Sequence, residues 1–150
     1  MQVRSARVSD AVSINALIAG YAEQDRMLFR SVADIYDNLQ TFVVAVEGDR
    51  VVGCCALEVV WADLAEVKSL AVDAACQSRG MGRALVTAAV DKARELGVAK
   101  VFALTLEPGF FQKMGFAEVS RESLPMKVWS DCARCPKQDE CDEVALVRNL

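Results

Sequence analysis

The chain has 150 residues, 53% hydrophobic and 25% charged, with a formal net charge of -4. That size and balance suit one folded domain rather than a disordered chain, and the acidic surplus argues against a general nucleic-acid binder. There is no histidine, which excludes Ser-His, Cys-His and His-metal mechanisms and leaves carboxylate, lysine, tyrosine, cysteine or water as any base.

Gln2 to Arg7 alternates enough for a short first strand. Ser9 and Asp10 then offer helix caps, and Ile14, Leu17, Ile18 and Tyr21 make one apolar helical face. A loop from Glu23 to Arg30 leads to Ser31, whose S-x-x-D spacing to Asp34 imitates a capping box for a second helix reaching about Asn38. Thr41 to Glu47 is β-branched and strand-like, Gly48-Asp49-Arg50 turns the chain, and Val51 to Val60 reads as the hairpin partner. Ala65 to Val72 is a further strand. From about Gly82 to Leu96 the pattern is helical and stops at Gly97. Lys100 to Thr105 is a strand, Phe110 to Met114 a short helix ended by Gly115, another strand starts at Phe116, and Glu143 to Arg148 closes the order. Early hairpins and a strand-helix-strand crossover predict an α/β mixed sheet with helices on both faces, in one domain over residues 1–150. MQVRSARVSD carries no secretory signal, and no charge-free apolar run nears the ~20 residues of a membrane span. The expected location is therefore the cytoplasm, with reduced thiols.

The run QSRGMG, Gln77 to Gly82, sits between a strand and a helix that is apolar over much of its circumference. A helix so anchored presents unpaired N–H groups and a partial positive charge of roughly half a unit at a defined place. Gly80 and Gly82 let an anion approach that backbone, and Gln77, Arg79 and Arg83 add donors. The plain structural alternative is a tight strand-to-helix turn with no ligand. Neither the P-loop pattern nor the dinucleotide G-x-G-x-x-G fingerprint is present.

The Q-x-x-G-x-G spacing resembles the pyrophosphate-binding segment of the GCN5-related N-acetyltransferase superfamily. Phe111-Gln112-Lys113-Met114-Gly115-Phe116 is similar to that superfamily's F/Y-x-K-x-G-F segment, and the element order agrees over roughly residues 2 to 120. The resemblance implies a mostly antiparallel sheet splayed between its fourth and fifth strands, with acetyl-CoA as co-substrate in the gap. It places Leu70, Ala71 and Val72 along the pantetheine arm, and Gln77, Ser78, Arg79, Gly80, Met81, Gly82 and Arg83 around the pyrophosphate, with Phe111 and Lys113 also toward the cofactor. Glu66 is the expected base and the Leu70 N–H the expected oxyanion donor; the plain alternative for Glu66 is an ion pair with Lys68. Where many members carry a tyrosine acid, this chain has Phe111. A thiol of pKa about 8.5 leaves tolerably as its anion, so that loss is survivable.

Met27 to Ser31 (MLFRS) with Ile35 to Leu39, and Leu124 to Cys132 (LPMKVWSDC), resemble segments of short N-acetylglutamate synthases. This implies acetyl transfer to the α-amine of glutamate, in arginine biosynthesis, with Arg30, Ser31, Lys68 and Lys127 toward the acceptor. Phe29 and Lys68 depart from the proline and arginine of that pattern, which keeps glutamine or another small amine open as acceptor, and likewise a CoA-binding regulatory protein without turnover. Partners are a small amine or amino acid, with no nucleic acid or membrane; a homodimer stays open. In the tail, from about residue 124, Cys132, Cys135 and Cys141 could furnish three of four zinc ligands or a C-x-x-C disulfide. The favoured reading is packed thiols with no metal.

Overall fold

A computed structural model describes residues 1–24, 26–77, 79–124 and 143–150. Ser78, Lys127 and the tail cysteines Cys132, Cys135 and Cys141 lie outside the described residues. The strands are β1 (Gln2–Ser5), β2 (Phe42–Glu47), β3 (Arg50–Trp61), β4 (Leu64–Val72), β5 (Lys100–Thr105), β6 (Ala117–Val119) and β7 (Val144–Asn149). They form one sheet in the order β1-β2-β3-β4-β5-β7-β6. Every neighbouring pair is antiparallel except β4 with β5. The helices are α1 (Ala11–Ala22), α2 (Val32–Asp37), α3 (Met81–Glu95) and α4 (Pro108–Gln112).

The two-residue period of β2 and β3 divides their side chains between two helical layers. Val43, Ala45, Val52, Cys55 and Leu57 pack against the α3 residues Leu85, Val86, Ala89 and Val90. Phe42, Val44, Cys54 and Ala56 pack against Ala11, Ile14 and Ile18 of α1 and Ile35 of α2. Burial on both sides explains why β2 reads as continuous apolar sequence instead of alternating. It also places Cys54 and Cys55 on opposite faces, both fully buried.

Two boundaries differ from the sequence reading by more than a residue. α4 occupies Pro108–Gln112 rather than residues 110 to 114, because Pro108 supplies the fixed φ that suits a first helical position. The first strand ends at Ser5, and α1 starts at Ala11 without a side-chain cap bond from Asp10. Asp10 is instead buried and accepts the Arg7 N–H at 2.7 Å and the Arg4 guanidinium at 2.7 and 3.1 Å. This forked pair ties β1 to the start of α1. The hydrogen bond from Arg4 holds the Asp10 carboxyl below its ordinary range, against the opposing effect of burial.

A depressed carboxyl contributes stability that is present above its unfolded pKa and is lost as pH falls through its folded pKa. Asp10→Asn should therefore lower unfolding free energy by about 1.5–3 kcal/mol at pH 7. The deficit should shrink below about pH 4, as denaturant titrations at pH 7 and pH 3 would show.

Candidate functional site

The parallel ladder between β4 and β5 is short. It joins Leu64 to Lys100, Ala65 to Val101 and Glu66 to Phe102, and then the strands part. Val67 to Val72 of β4 thus have no β5 partner in the register, leaving backbone donors and acceptors along an open edge. Where they part, β4 carries a bulge. Cys54 pairs with Ala71 and Ala56 with Lys68, so Cys55 faces both Ser69 and Leu70. Ser69 takes φ 55, the one non-glycine residue in the left-handed region among the described residues.

The bulge changes which residues share a face. Ala65 and Val67 lie in the α3-side core, and past the bulge Leu70 and Val72 join them. Ala71 lies in the opposite core with α1 and α2. By strand alternation Glu66 and Lys68 share that second face. Leu70 and Val72 therefore lie on the α3 side of the gap, and the charged residues of β4 on the other.

On the α3 side, Gly80 caps the helix at φ 80 and Met81 is buried, so the helix start is fixed. A Cβ on Gly80 would meet nothing within 4 Å, whereas one on Gly82 would lie 3.4 Å from the Phe110 ring. The first-turn amides after Gly80 have no intrahelical acceptor, and the open backbone at Gly80 suits close approach of an anion. The surrounding side chains are partly committed elsewhere. Arg79 pairs with Glu47 at 2.6 Å, and Gln77 donates to the Tyr21 hydroxyl and, at 3.4 Å, to the Val72 carbonyl. Arg83 and Lys113 are exposed. Phe111 is a core residue, 5% exposed, with its ring edge-to-face to Phe110 at 5.1 Å and to Phe116 at 5.2 Å.

On the other face lies a compact charge cluster. Arg30 is 8% exposed and donates through Nε to Asp34 at 2.6 Å, through a terminal nitrogen to Glu58 at 3.2 Å, and through the other to Ser69 Oγ at 3.3 Å. Its guanidinium stands 5.1 Å from the centre of the Phe42 ring. Burial works against the charge on Arg30, yet Asp34 and Glu58 outweigh it and the guanidinium pKa is raised. Lys68 reaches the other oxygen of Glu58 at 3.5 Å. Glu66, 8% exposed, is the cross-strand neighbour of Glu58. The Ser31 hydroxyl caps α2 by accepting the Asp34 N–H at 3.1 Å. The structure thus brings Arg30, Lys68 and Glu66 to one face and gives Ser31 a local task in the loop that carries Arg30.

Sequence reasoning overlooked Glu58, although it is the one charge between Val51 and Val60 and alternation from Cys54 and Ala56 places it on this face. It also overlooked how Tyr21 is used. The Tyr21 hydroxyl donates to the Val72 carbonyl at 2.7 Å, Arg26 lies 5.6 Å over its ring, and Arg26 pairs with Glu107 at 2.9 Å. That chain of contacts runs from the end of β4 to just beyond the end of β5, across the mouth of the gap. Tyr36, by contrast, is exposed. Burial pushes the Cys54 thiol up to about 12 and raises that of Cys55 as well, so both stay protonated and are poor nucleophiles. Among the described residues no cluster of three metal-ligating side chains occurs, and no helix is long and apolar enough to cross a membrane.

The sheet opens between two parallel strands, with a glycine-started helix on one side and buried charges on the other. The acetyltransferase (GNAT) family matches residues 10–116, and the chain belongs to that family. It is an N-acetyltransferase. Over 148 residues it is 45% identical to a Chlorobaculum tepidum protein named only as an N-acetyltransferase, covering 99% of this chain and 96% of that one. Over 135 residues it is 38% identical to the amino-acid acetyltransferase of Mycobacterium tuberculosis, covering 88% and 77%. The solved N-acetylglutamate synthase of Neisseria gonorrhoeae, complexed with coenzyme A and N-acetyl-glutamate, superposes with a TM-score of 0.90 at 30% identity. That match covers 99% of this chain and 35% of the longer synthase. The coenzyme A held there agrees with acetyl-CoA as the expected co-substrate.

Gly82→Val should weaken CoA binding by about tenfold or more, a loss near 1.4 kcal/mol, because the added methyls crowd Phe110 and the first turn of α3. Calorimetric titration with CoA reads this directly, and an unchanged affinity would contradict the cradle.

Proposed function

We propose that the chain transfers acetyl from acetyl-CoA to the α-amine of a small amino acid, with glutamate and its amide glutamine as the leading candidates. The observation that carries this reading is the gap beyond Glu66 and Phe102, with fixed helix amides on one side and buried charge on the other. The names of the mycobacterial and gonococcal relatives support an amino-acid acceptor. By the same resemblance the reaction belongs to arginine biosynthesis in the cytoplasm.

In this reading the open backbone of Leu70, Ala71 and Val72 pairs with the pantetheine arm as a strand would. The amides around Gly80, Met81 and Gly82 take the pyrophosphate, with the exposed Arg83 and Lys113 assigned to add charge. The acceptor amine must be neutral to attack, and Glu66 is assigned as the carboxylate that takes its proton, directly or through water. The new C–N bond forms as the Leu70 N–H stabilises the oxyanion. The C–S bond then breaks and CoA leaves as thiolate, which suits a site where Phe111 offers no acid.

Arg30 and Lys68 are the cations assigned to the acceptor's carboxylate, with Lys127 and the Ser31-capped loop assisting. Because Arg30 is also the buried partner of Asp34 and Glu58, truncation to alanine would remove their shared cation as well as any acceptor contact. Lysine is therefore the better probe: it keeps the charge and loses the planar fork. Arg30→Lys should raise the acceptor KM by about tenfold while leaving the acetyl-CoA KM within about twofold. Equal shifts in both would count against the assignment.

The decisive assay is thiol release from acetyl-CoA across a panel of amino acids and amines. Tight CoA binding without turnover on any acceptor would favour a regulatory protein. For an active enzyme, Glu66→Gln should reduce kcat by roughly 10²–10⁴ and remove the acid limb of the kcat profile. A variant that keeps both rate and profile would show that the proton leaves by another path.

A further inference from the structure

The acceptor face already contains a carboxylate where an acceptor's side-chain carboxylate would need a cation. Glu58 sits on β3 between Arg30, at 3.2 Å, and Lys68, at 3.5 Å, one oxygen toward each. Asp34 takes the Nε of Arg30 at 2.6 Å. The two cations are thus balanced by Glu58 and Asp34, and Glu66 adds a further carboxylate on the neighbouring strand. Glu58 is not locked away: its side chain is 25% exposed, and its carboxylate has lone pairs beyond the two that face the cations.

We infer that Glu58 sets acceptor specificity by disfavouring a side-chain carboxylate and favouring a neutral hydrogen-bond donor such as a side-chain amide. This rests on the amino-acid acetyltransferase reading and refines it. An amino acid with an uncharged side chain brings one carboxylate, its α-carboxylate. A dicarboxylic acceptor brings two, and the second meets cations that already have partners. To bind it, Arg30 or Lys68 must loosen its hold on Glu58, leaving a half-buried carboxylate poorly compensated. An amide has no such conflict, because its N–H groups can donate to Glu58 in place. The discrimination is therefore a repulsion built into the site as much as an attraction.

The test is the ratio of kcat/KM for glutamine to that for glutamate, measured within each variant so that partial loss of folded protein cancels. Glu58→Gln keeps the size of the side chain, removes the negative charge and ends its ion pairs with Arg30 and Lys68. It should move the ratio toward glutamate by about tenfold or more, a change near 1.4 kcal/mol. Asp34→Asn removes the same charge at a more exposed position, 42% by side chain. It should move the ratio by less than about threefold, since exposed charges interact through high-dielectric solvent. An unmoved ratio in Glu58→Gln, a shift toward glutamine, or equal shifts in the two variants would overturn the assignment. If the wild-type protein acetylates neither amino acid, the broader reading fails instead, and the two failures are distinct.

Discussion

Everything in this molecule that can serve two substrates depends on the early end of one ladder. β4 and β5 pair through three residues and then separate. A parallel pair inside a sheet ordinarily continues as far as the strands do, because buried backbone groups need partners. Here the bulge at Ser69 bends β4 and strengthens its local twist, carrying its second half away from β5. The edge left open is a line of donors and acceptors shaped for an extended, amide-bearing ligand. The same bulge moves Leu70 and Val72 to the α3 face and leaves Glu66 and Lys68 on the other. One inserted residue thus separates the apolar α3 face of β4 from its charged face.

Each side is built with different physics. The α3 side uses fixed dipoles: a helix whose buried stripe anchors it, started by a left-handed glycine so that first-turn amides point at one place. The opposite side uses formal charges, and it can hold them only because they are paired. Arg30 stays charged while buried because Asp34 and Glu58 repay its desolvation. Behind them the Cys54 thiol donates to the Ser69 carbonyl at 3.5 Å, bracing the bulge from the core.

Much of this was legible in the chain itself. β5 was read with its full extent, because KVFALT is bounded by turn residues and is nearly all apolar. α3 was read to within a residue, since its wet stripe is narrow and Gly97 ends it. The shift of α4 shows where local signals compete: Gly115 suggests a helix over residues 110 to 114, but Pro108 dictates the first turn. Asp10 caps the 3-10 turn Val8–Asp10 rather than α1 itself, by accepting the Arg7 N–H. Its carboxylate serves equally well as partner to the Arg4 guanidinium six residues earlier, a pairing that forms only when β1 folds back beside the helix start. Glu58 was passed over because one acidic residue in an apolar strand looks like a solvated edge until its neighbours are known.

The sequence by itself determined the elements, the two-layered burial of β2 and β3, the glycine-started helix and the absence of any imidazole chemistry. These follow from periodicity, turn residues and composition, which act over a few residues at a time. Only the tertiary structure decided that β4 leaves β5 after Glu66, and that Tyr21 closes onto the Val72 carbonyl. It alone decided that Arg30, Glu58 and Lys68 share one pocket of charge. Of these contacts, Arg30 and Glu58 lie 28 positions apart and Tyr21 and Val72 lie 51 apart. Contacts of that range are set by strand register, by the parity change at a bulge and by mutual neutralisation of buried charges, none of which a short window of sequence contains.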